Sequence, residues 1–149
     1  VPLLFLIMGI LITLSINEYK SIKKEEKLFS VIKTEISRNQ EILNFNKTRI
    51  EYELRVKGIE YIPFKSFTTD FWNLINYNPP KRIMNDDLYL KIGNVVLIMD
   101  SFNENSKLKE FHKAFETDKF SKIIIFNKNL IAEIQDLDKL LNEISDYFQ

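Results

Sequence analysis

The first 16 residues, VPLLFLIMGILITLSI, carry no charged side chain. A helix that is apolar on every face is stable in a lipid bilayer or in a large protein core. A helix over 1–16 rises about 24 Å, slightly less than the roughly 30 Å of a bilayer's hydrocarbon layer. We interpret this stretch as the anchor of a single-pass membrane protein, with a buried core helix as the alternative.

The charged stretch that follows keeps a helical pattern, and no Pro or Gly lies between Gly9 and Gly58. We therefore predict one helix from the anchor to Lys57, divided into an anchor at 1–17 and a helical bundle domain at 18–149. One stripe of this helix has the three-four spacing typical of helices that pack along their length. Its members are Phe29, Ile32, Ile36, Asn39, Leu43, Asn46, Ile50 and Glu53.

Two asparagines, Asn39 and Asn46, occupy positions in this otherwise apolar stripe. A buried Asn can fix the register or number of packed helices at some cost in stability. The alternative is that both face a solvated gap. If they face the seam, replacing both with Leu is expected to raise thermal stability.

Residues 66–77 are rich in aromatic side chains and start with hydroxyl residues that can cap a helix. We predict a short helix that begins near Thr68 or Thr69 and stops before Pro79. Its aromatic side chains either plug the open end of a small bundle, which we favour, or form a docking surface. The interaction candidates are Phe67, Phe71, Trp72 and Tyr77, together with Asn39, Asn46 and Asn127 at seam positions.

Asn85, followed by two aspartates, predicts the start of the next helix. A three-four stripe runs from Leu88 to Phe102 and loses phase across 103–106, where we expect a bend or short break. It is expected to resume at Leu108, Phe111 and Phe115.

The last helix, with Thr117 or Asp118 as candidate caps, has the most regular stripe. That stripe comprises Phe120, Ile123, Asn127, Leu130, Ile134, Leu137, Leu141, Ile144 and Phe148. The expected fold is all-α: an N-terminal transmembrane helix that continues into an antiparallel bundle of about three long helices with a short aromatic plug helix.

Composition and motifs argue against several functions. The 21 basic and 21 acidic residues cancel, whereas a nucleic-acid binder needs a net basic face. The chain has no cysteine, and no glycine loop could cradle a phosphate. His112 and Glu116 share a helix face, but a di-iron bundle site needs two Glu-x-x-His pairs. We therefore expect no enzyme activity, no cofactor, no metal and no nucleic-acid partner.

Several short motifs resemble those of a family of bacterial single-pass membrane proteins of unknown function. They are GILITLSINEY at 9–19, IKTEISRNQEI at 32–42, TTDFWNL at 68–74 and NDDL at 85–88. The chain departs from the family pattern at Thr13, Ser15 and Tyr19. The resemblance implies an anchor, a helical domain, and an apolar segment with a basic flank upstream of Val1.

The side of the membrane is open at this point. Lysines that follow the apolar run, at 20, 23, 24 and 27, favour a cytoplasmic domain by the positive-inside rule. The upstream basic flank that the resemblance implies would place the domain on the opposite side.

The expected function is that of a membrane-anchored helical interaction or scaffold module without catalytic activity, an accessory subunit of a larger membrane assembly. Its partners would be the lipid bilayer and other membrane protein subunits or further copies of itself. One alternative is a processed pilin-like filament subunit, although Phe5 stands where pilins usually carry Glu. Another is a helical sensory domain that binds a small ligand between its helices.

Overall fold

The structure, a computed structural model, describes residues 2–56, 63–77, 85–115 and 119–148, without the side chains of 2, 56, 112–115 and 119–123. These residues form four helices and no strand. The helices are α1 (Pro2–Val56), α2 (Asp70–Tyr77), α3 (Asp86–Phe115) and α4 (Lys119–Asp146). The predicted all-α architecture, with three long helices and one short aromatic helix, is confirmed. The predicted helix end at Lys57 and the caps at Thr117 or Asp118 lie outside the described residues.

The chain divides into two compact units, 1–34 and 35–149, and the division falls within α1. In the first unit every side chain from Leu3 to Lys20 is exposed, including Phe5 at 71%. By length and composition, α1 could cross a membrane, and none of its most apolar window is buried. A signal sequence or the core helix of a soluble protein also meets the criteria of length and composition.

In the second unit, α3 and α4 are antiparallel neighbours. Near the start of α3, Lys91 Nζ lies 2.9 Å from Glu143 Oε2 of α4. Farther along α3, Ser101 donates a hydrogen bond to Glu133, which precedes Glu143 in α4. Later residues of α3 thus meet earlier residues of α4.

The part of α1 in the second unit is also antiparallel to α4. Gln40 donates a hydrogen bond of 2.9 Å to Asn142, and Asn127 Nδ2 lies 3.4 Å from Glu53 Oε2. Since both α1 and α3 oppose α4, α1 and α3 run in the same direction. Between them, the described residues 63–77 run antiparallel to α3, since Phe67 meets Asn103 and Asn76 lies near Gly93.

The predicted stripes of α3 and α4 form most of the apolar core. In α4, burial follows the three-four spacing to the end of the described chain. The buried members are Leu130, Ile134, Leu137, Leu141 and Ile144 in α4, Phe148 just beyond its end, and Leu88, Ile92, Val95, Met99 and Phe102 in α3.

Of the bend or short break predicted at 103–106, the break is wrong, because α3 is uninterrupted from Asp86 to Phe115. The stripe continues after Phe102 in polar side chains: Ser106 is 5% exposed and Lys109 is fully buried. Ser106 donates a hydrogen bond of 2.9 Å to the carbonyl oxygen of Asn103. Leu108 and Phe111, which were expected to resume the stripe, are exposed.

The predicted starts of α2 and α3 are confirmed. The carbonyl oxygen of Thr69 accepts a hydrogen bond of 2.8 Å from the amide of Asn73, which makes Thr69 the N-cap of α2. The side chain of Asn85 accepts one of 2.8 Å from the amide of Leu88 and thereby caps α3.

The start of α3 is tied to the end of the described chain by a group of polar side chains, in which Asp87 is exposed and Lys91 and Glu143 are half-buried. Tyr147 donates a hydrogen bond to Asp87, and this bond, followed by Lys91, lowers the pKa of the Asp87 carboxyl. The same bond raises the pKa of the Tyr147 phenol. Glu143, followed by Asp87, raises the pKa of Lys91.

We expect Tyr147→Phe to raise the pKa of Asp87 toward its ordinary value, because the phenol that favours the ionised carboxylate is removed. A lowered pKa means that Asp87 contributes stability above its unfolded-state pKa and loses it as the pH falls through the folded-state pKa. The measurement is an NMR pH titration of the Asp87 carboxyl carbon. Tyr77→Phe is the control, and an Asp87 pKa that does not change in Tyr147→Phe would contradict the contact.

Candidate functional site

The three long helices meet at a set of polar side chains that we call the ion cluster: Arg49 and Glu53 of α1, Lys109 and Glu110 of α3, and Asn127 of α4. The Lys109 side chain is fully buried, and those of Arg49 and Glu53 are 3% and 8% exposed. Burial of an ion is costly unless an opposite charge and hydrogen bonds compensate it. Two cations and two carboxylates make the cluster neutral.

Lys109 has partners from both other long helices. Its Nζ donates hydrogen bonds to Glu53 Oε2 of α1 and to Asn127 Oδ1 of α4. It also lies 4.5 Å from the centre of the Phe64 ring, within the range of a cation–π contact. Lys109 thus donates to one carboxylate and one amide oxygen, and the face of the Phe64 ring also stabilises its positive charge.

Arg49 forms the second half of the cluster. Its Nε and Nη2 donate to Glu53 Oε1 at 3.1 and 2.8 Å, and its guanidinium carbon lies 4.7 Å from the Phe64 ring centre. Nη2 is also 3.7 Å from Glu110 Oε1, an ion pair too long for a hydrogen bond. Glu53 therefore serves both cations, while Glu110 contributes charge at the edge of the cluster.

The stretch 63–69 is not helical, so its backbone groups need partners from elsewhere. Asn46 accepts a hydrogen bond of 2.9 Å from the Lys65 amide and donates one of 2.8 Å to the Lys65 carbonyl. Asn103 does the same for Phe67, at 2.9 and 2.8 Å. We call Asn46 and Asn103 the asparagine clamps, since each satisfies both backbone groups of one residue, as a neighbouring strand would.

Aromatic contacts support the clamped stretch. The rings of Phe64 and Phe67 meet that of Phe102 edge to face, with centroids 5.9 and 5.3 Å apart respectively. The Lys65 ammonium lies 4.3 Å from the Phe45 ring centre. The stretch before α2 therefore packs between α1 and α3 through both its backbone and its side chains.

The aromatic interaction candidates have different environments. Phe67 and Trp72 are buried, Phe71 is half-buried, and Tyr77 is 79% exposed. Trp72 shares its buried helix face with Ile75, which is the face that an amphipathic helix turns to its core. Of these four aromatic residues, Tyr77 offers the largest exposed surface to a partner.

The structure buries all three seam asparagines, and each has a different role. Asn127 holds Lys109, and Asn46 is a clamp. Asn39 donates a hydrogen bond of 2.7 Å to the Glu35 carbonyl, and its Oδ1 is buried without a hydrogen-bond partner. Replacement by Leu was expected to raise thermal stability at both Asn39 and Asn46. Given these contacts, we now expect that effect only at Asn39.

Sequence reasoning missed Arg49, Lys109 and Asn103. A signal existed for Lys109, because it continues the three-four spacing of Phe102 and Ser106. Arg49 immediately precedes the buried Ile50, and Asn103 immediately follows the buried Phe102. A charged or amide residue beside an apolar stripe is usually solvated, so these positions were not distinguishable by pattern alone.

The described residues contain no group of three or more His, Asp or Glu side chains placed to hold a metal ion. The side chain of His112 lies outside the described residues. In the ion cluster, the amine of Lys109 is occupied by internal partners, so the arrangement is suited to holding helices together.

Comparisons with protein-family models, with curated proteins and with solved structures found no match. The resemblance to the bacterial membrane-protein family therefore stays a prediction.

Asn39 and Asn46 should respond to Leu substitution with opposite signs. Asn46→Leu leaves the amide and carbonyl of Lys65 unpaired and should lower the free energy of unfolding by about 2 kcal/mol. Asn39→Leu removes an unsatisfied buried oxygen and should raise it by about 1 kcal/mol. Urea unfolding followed by circular dichroism measures both, each variant serving as the other's control. A change of the same sign in both variants would contradict the assigned roles.

Removing the buried ammonium should be far more costly than removing an exposed one. Lys109→Met leaves one uncompensated carboxylate in the cluster and should lower the free energy of unfolding by about 3–5 kcal/mol. Lys107→Met, at an exposed position of the same helix, should change it by less than about 0.5 kcal/mol.

Adding Glu53→Gln to Lys109→Met restores neutrality and should recover part of that loss, as urea unfolding would show. Equal effects of Lys109→Met and Lys107→Met would contradict the pairing of Lys109 within the ion cluster.

Proposed function

We propose that this chain is a membrane-anchored, non-catalytic interaction module that serves as an accessory subunit of a larger membrane assembly. The observation that carries the proposal is the exposure of all the apolar side chains from Leu3 to Ile16 on a helix that continues into the second unit. A contiguous apolar surface of this size marks a site of contact with lipid or protein.

The second unit has features of a rigid carrier. In its interior, Lys109 and Arg49 both bond to Glu53, while the buried oxygens of Glu110 have no hydrogen-bond partner. The asparagine clamps fix the stretch 63–69 to two helices. Such a domain has little internal surface left for a substrate. Its role would be positional, with the anchor holding it at the bilayer and its outer surface contacting a neighbouring subunit.

A partner surface on α2 has support from exposure. Leu74 and Tyr77 of this helix are 62% and 79% exposed, while Trp72 and Ile75 fix its other face in the core. Exposed apolar and aromatic side chains on a well-supported helix are the kind that anchor protein interfaces. We assign the contact with the neighbouring subunit to these two side chains.

The small-ligand sensor is the weaker alternative. It depended on inward polar groups between the helices, and two of the three seam asparagines have internal partners at both ends of their amides. The filament alternative is distinguished from the accessory subunit by the size and composition of the assembly.

The first experiment tests the anchor. The full chain is expected to stay in the membrane fraction after alkaline carbonate extraction. A variant with Leu6→Asp and Ile10→Asp should be released, because two carboxylates in the apolar segment make insertion costly. The matched variant Leu90→Asp and Leu97→Asp changes two exposed leucines of the second unit and should stay with the membrane. Release of the unchanged chain would overturn the anchor.

The second experiment tests the partner. Gentle detergent extraction from the native membrane, followed by native mass determination, should give a hetero-oligomer of fixed stoichiometry. Leu74→Ala with Tyr77→Ala should dissociate it without releasing the chain from the membrane. A polymer of this chain alone would favour the filament subunit, and a monomer would overturn the accessory-subunit proposal.

A further inference from the structure

Four lysines follow the apolar segment at positions 20, 23, 24 and 27, and all four are exposed on α1. At 3.6 residues per turn, these positions lie within an arc of about 100°. They therefore form one continuous basic stripe, which we call the lysine face.

The acidic residues of the same stretch lie elsewhere on the helix. Glu18 and Glu25 fall roughly 150–170° from the middle of the lysine face, and Glu26 falls to one side of it. The positive charge is thus separated from the negative charge around the helix, although the two nearly cancel in the sequence. Tyr19 flanks the lysine face, and Lys23 Nζ lies 5.1 Å from the centre of its ring.

The lysine face begins where the apolar segment ends. Lys20 lies about 6 Å and Lys27 about 16 Å beyond Ile16 along the helix axis. The headgroup layer of a bilayer is roughly 5–8 Å thick on each side. Side chains of a helix tilt toward its N-terminus, so these lysines lean back toward the apolar segment. Their long stems let the ammonium groups of Lys20, Lys23 and Lys24 reach the headgroup layer, and Lys27 lies within about a Debye length of it.

We propose that the lysine face of Lys20, Lys23, Lys24 and Lys27 binds the phosphate groups of anionic phospholipids at the membrane surface next to Ile16. This inference rests on the proposed anchor. Its physical basis is the attraction between a cluster of lysines beside a membrane helix and the negative charge of a lipid leaflet. The continuity of the lysine face with the apolar segment favours lipid over a soluble acidic partner.

The test uses the full chain reconstituted into vesicles of phosphatidylcholine, with a trace of spin-labelled phosphatidylglycerol or spin-labelled phosphatidylcholine. Electron paramagnetic resonance gives the relative association of each lipid with the protein. We expect phosphatidylglycerol to be preferred by about fivefold at low salt, with the preference lost near 1 M salt, where the Debye length is about 3 Å.

Two variants separate the lysine face from charge in general. Glu18→Lys, Lys20→Glu, Lys24→Glu and Glu25→Lys together keep the composition and net charge but mix the signs around the helix. This rearranged variant should lose the preference. The control variant Lys33→Gln, Lys47→Gln, Lys107→Gln and Lys128→Gln removes four exposed lysines elsewhere and should retain it.

The outcomes distinguish this inference from the proposed function. A chain that does not insert into the phosphatidylcholine vesicles contradicts the anchor itself. A chain that inserts and associates equally with both lipids overturns the lysine face alone. A preference that survives in the rearranged variant also overturns it, because net charge would then account for the selectivity.

Discussion

The buried ammonium of Lys109 is the interaction on which the packing of the three long helices depends. It reaches Glu53 of α1 and Asn127 of α4 from its own position on α3. Burying an ion pair gives little net stability relative to an apolar core, because desolvation offsets most of the Coulomb attraction. The cluster instead limits how the helices can pack, because few arrangements leave no buried charge unpaired. A slide of α3 by one turn would move Lys109 about 5.4 Å away from its partners.

The need to pair buried polar groups also explains how a non-helical stretch can lie between α1 and α3, which run in the same direction. A helix satisfies its own backbone, so a helical neighbour needs only apolar side chains along the seam. The stretch 63–69 is not helical, and within it the amide and carbonyl groups of Lys65 and Phe67 face α1 and α3 respectively. Asn46 and Asn103 supply the missing partners, one from each helix. The clamps thus let an extended segment occupy a position that a helix would otherwise fill.

The periodicity of the sequence was enough to predict the helices, because the apolar stripe of α4 and the caps at Thr69 and Asn85 are local signals. It failed where a stripe position is polar. A bend or short break was expected at 103–106, and Lys109 was not recognised as a core residue, since a lysine at a core position is rare and its partners lie 18 and 56 residues away. The asparagines were recognised as seam residues, but their roles depend on which backbone or charge lies opposite. That information belongs to the tertiary fold.

The polar residues of the seams mark the places where the neighbour is something other than an apolar helix face. Asn46 faces the amide and carbonyl of a non-helical residue, and Asn127 faces an ammonium. Asn39 is the exception, because its amide donates only to its own helix and its oxygen has no hydrogen-bond partner. An unsatisfied buried acceptor costs about 1–3 kcal/mol. Asn39 therefore lowers the stability of the fold, whereas Asn46 raises it. Seam position alone therefore does not determine what a buried asparagine contributes; the group opposite its amide does.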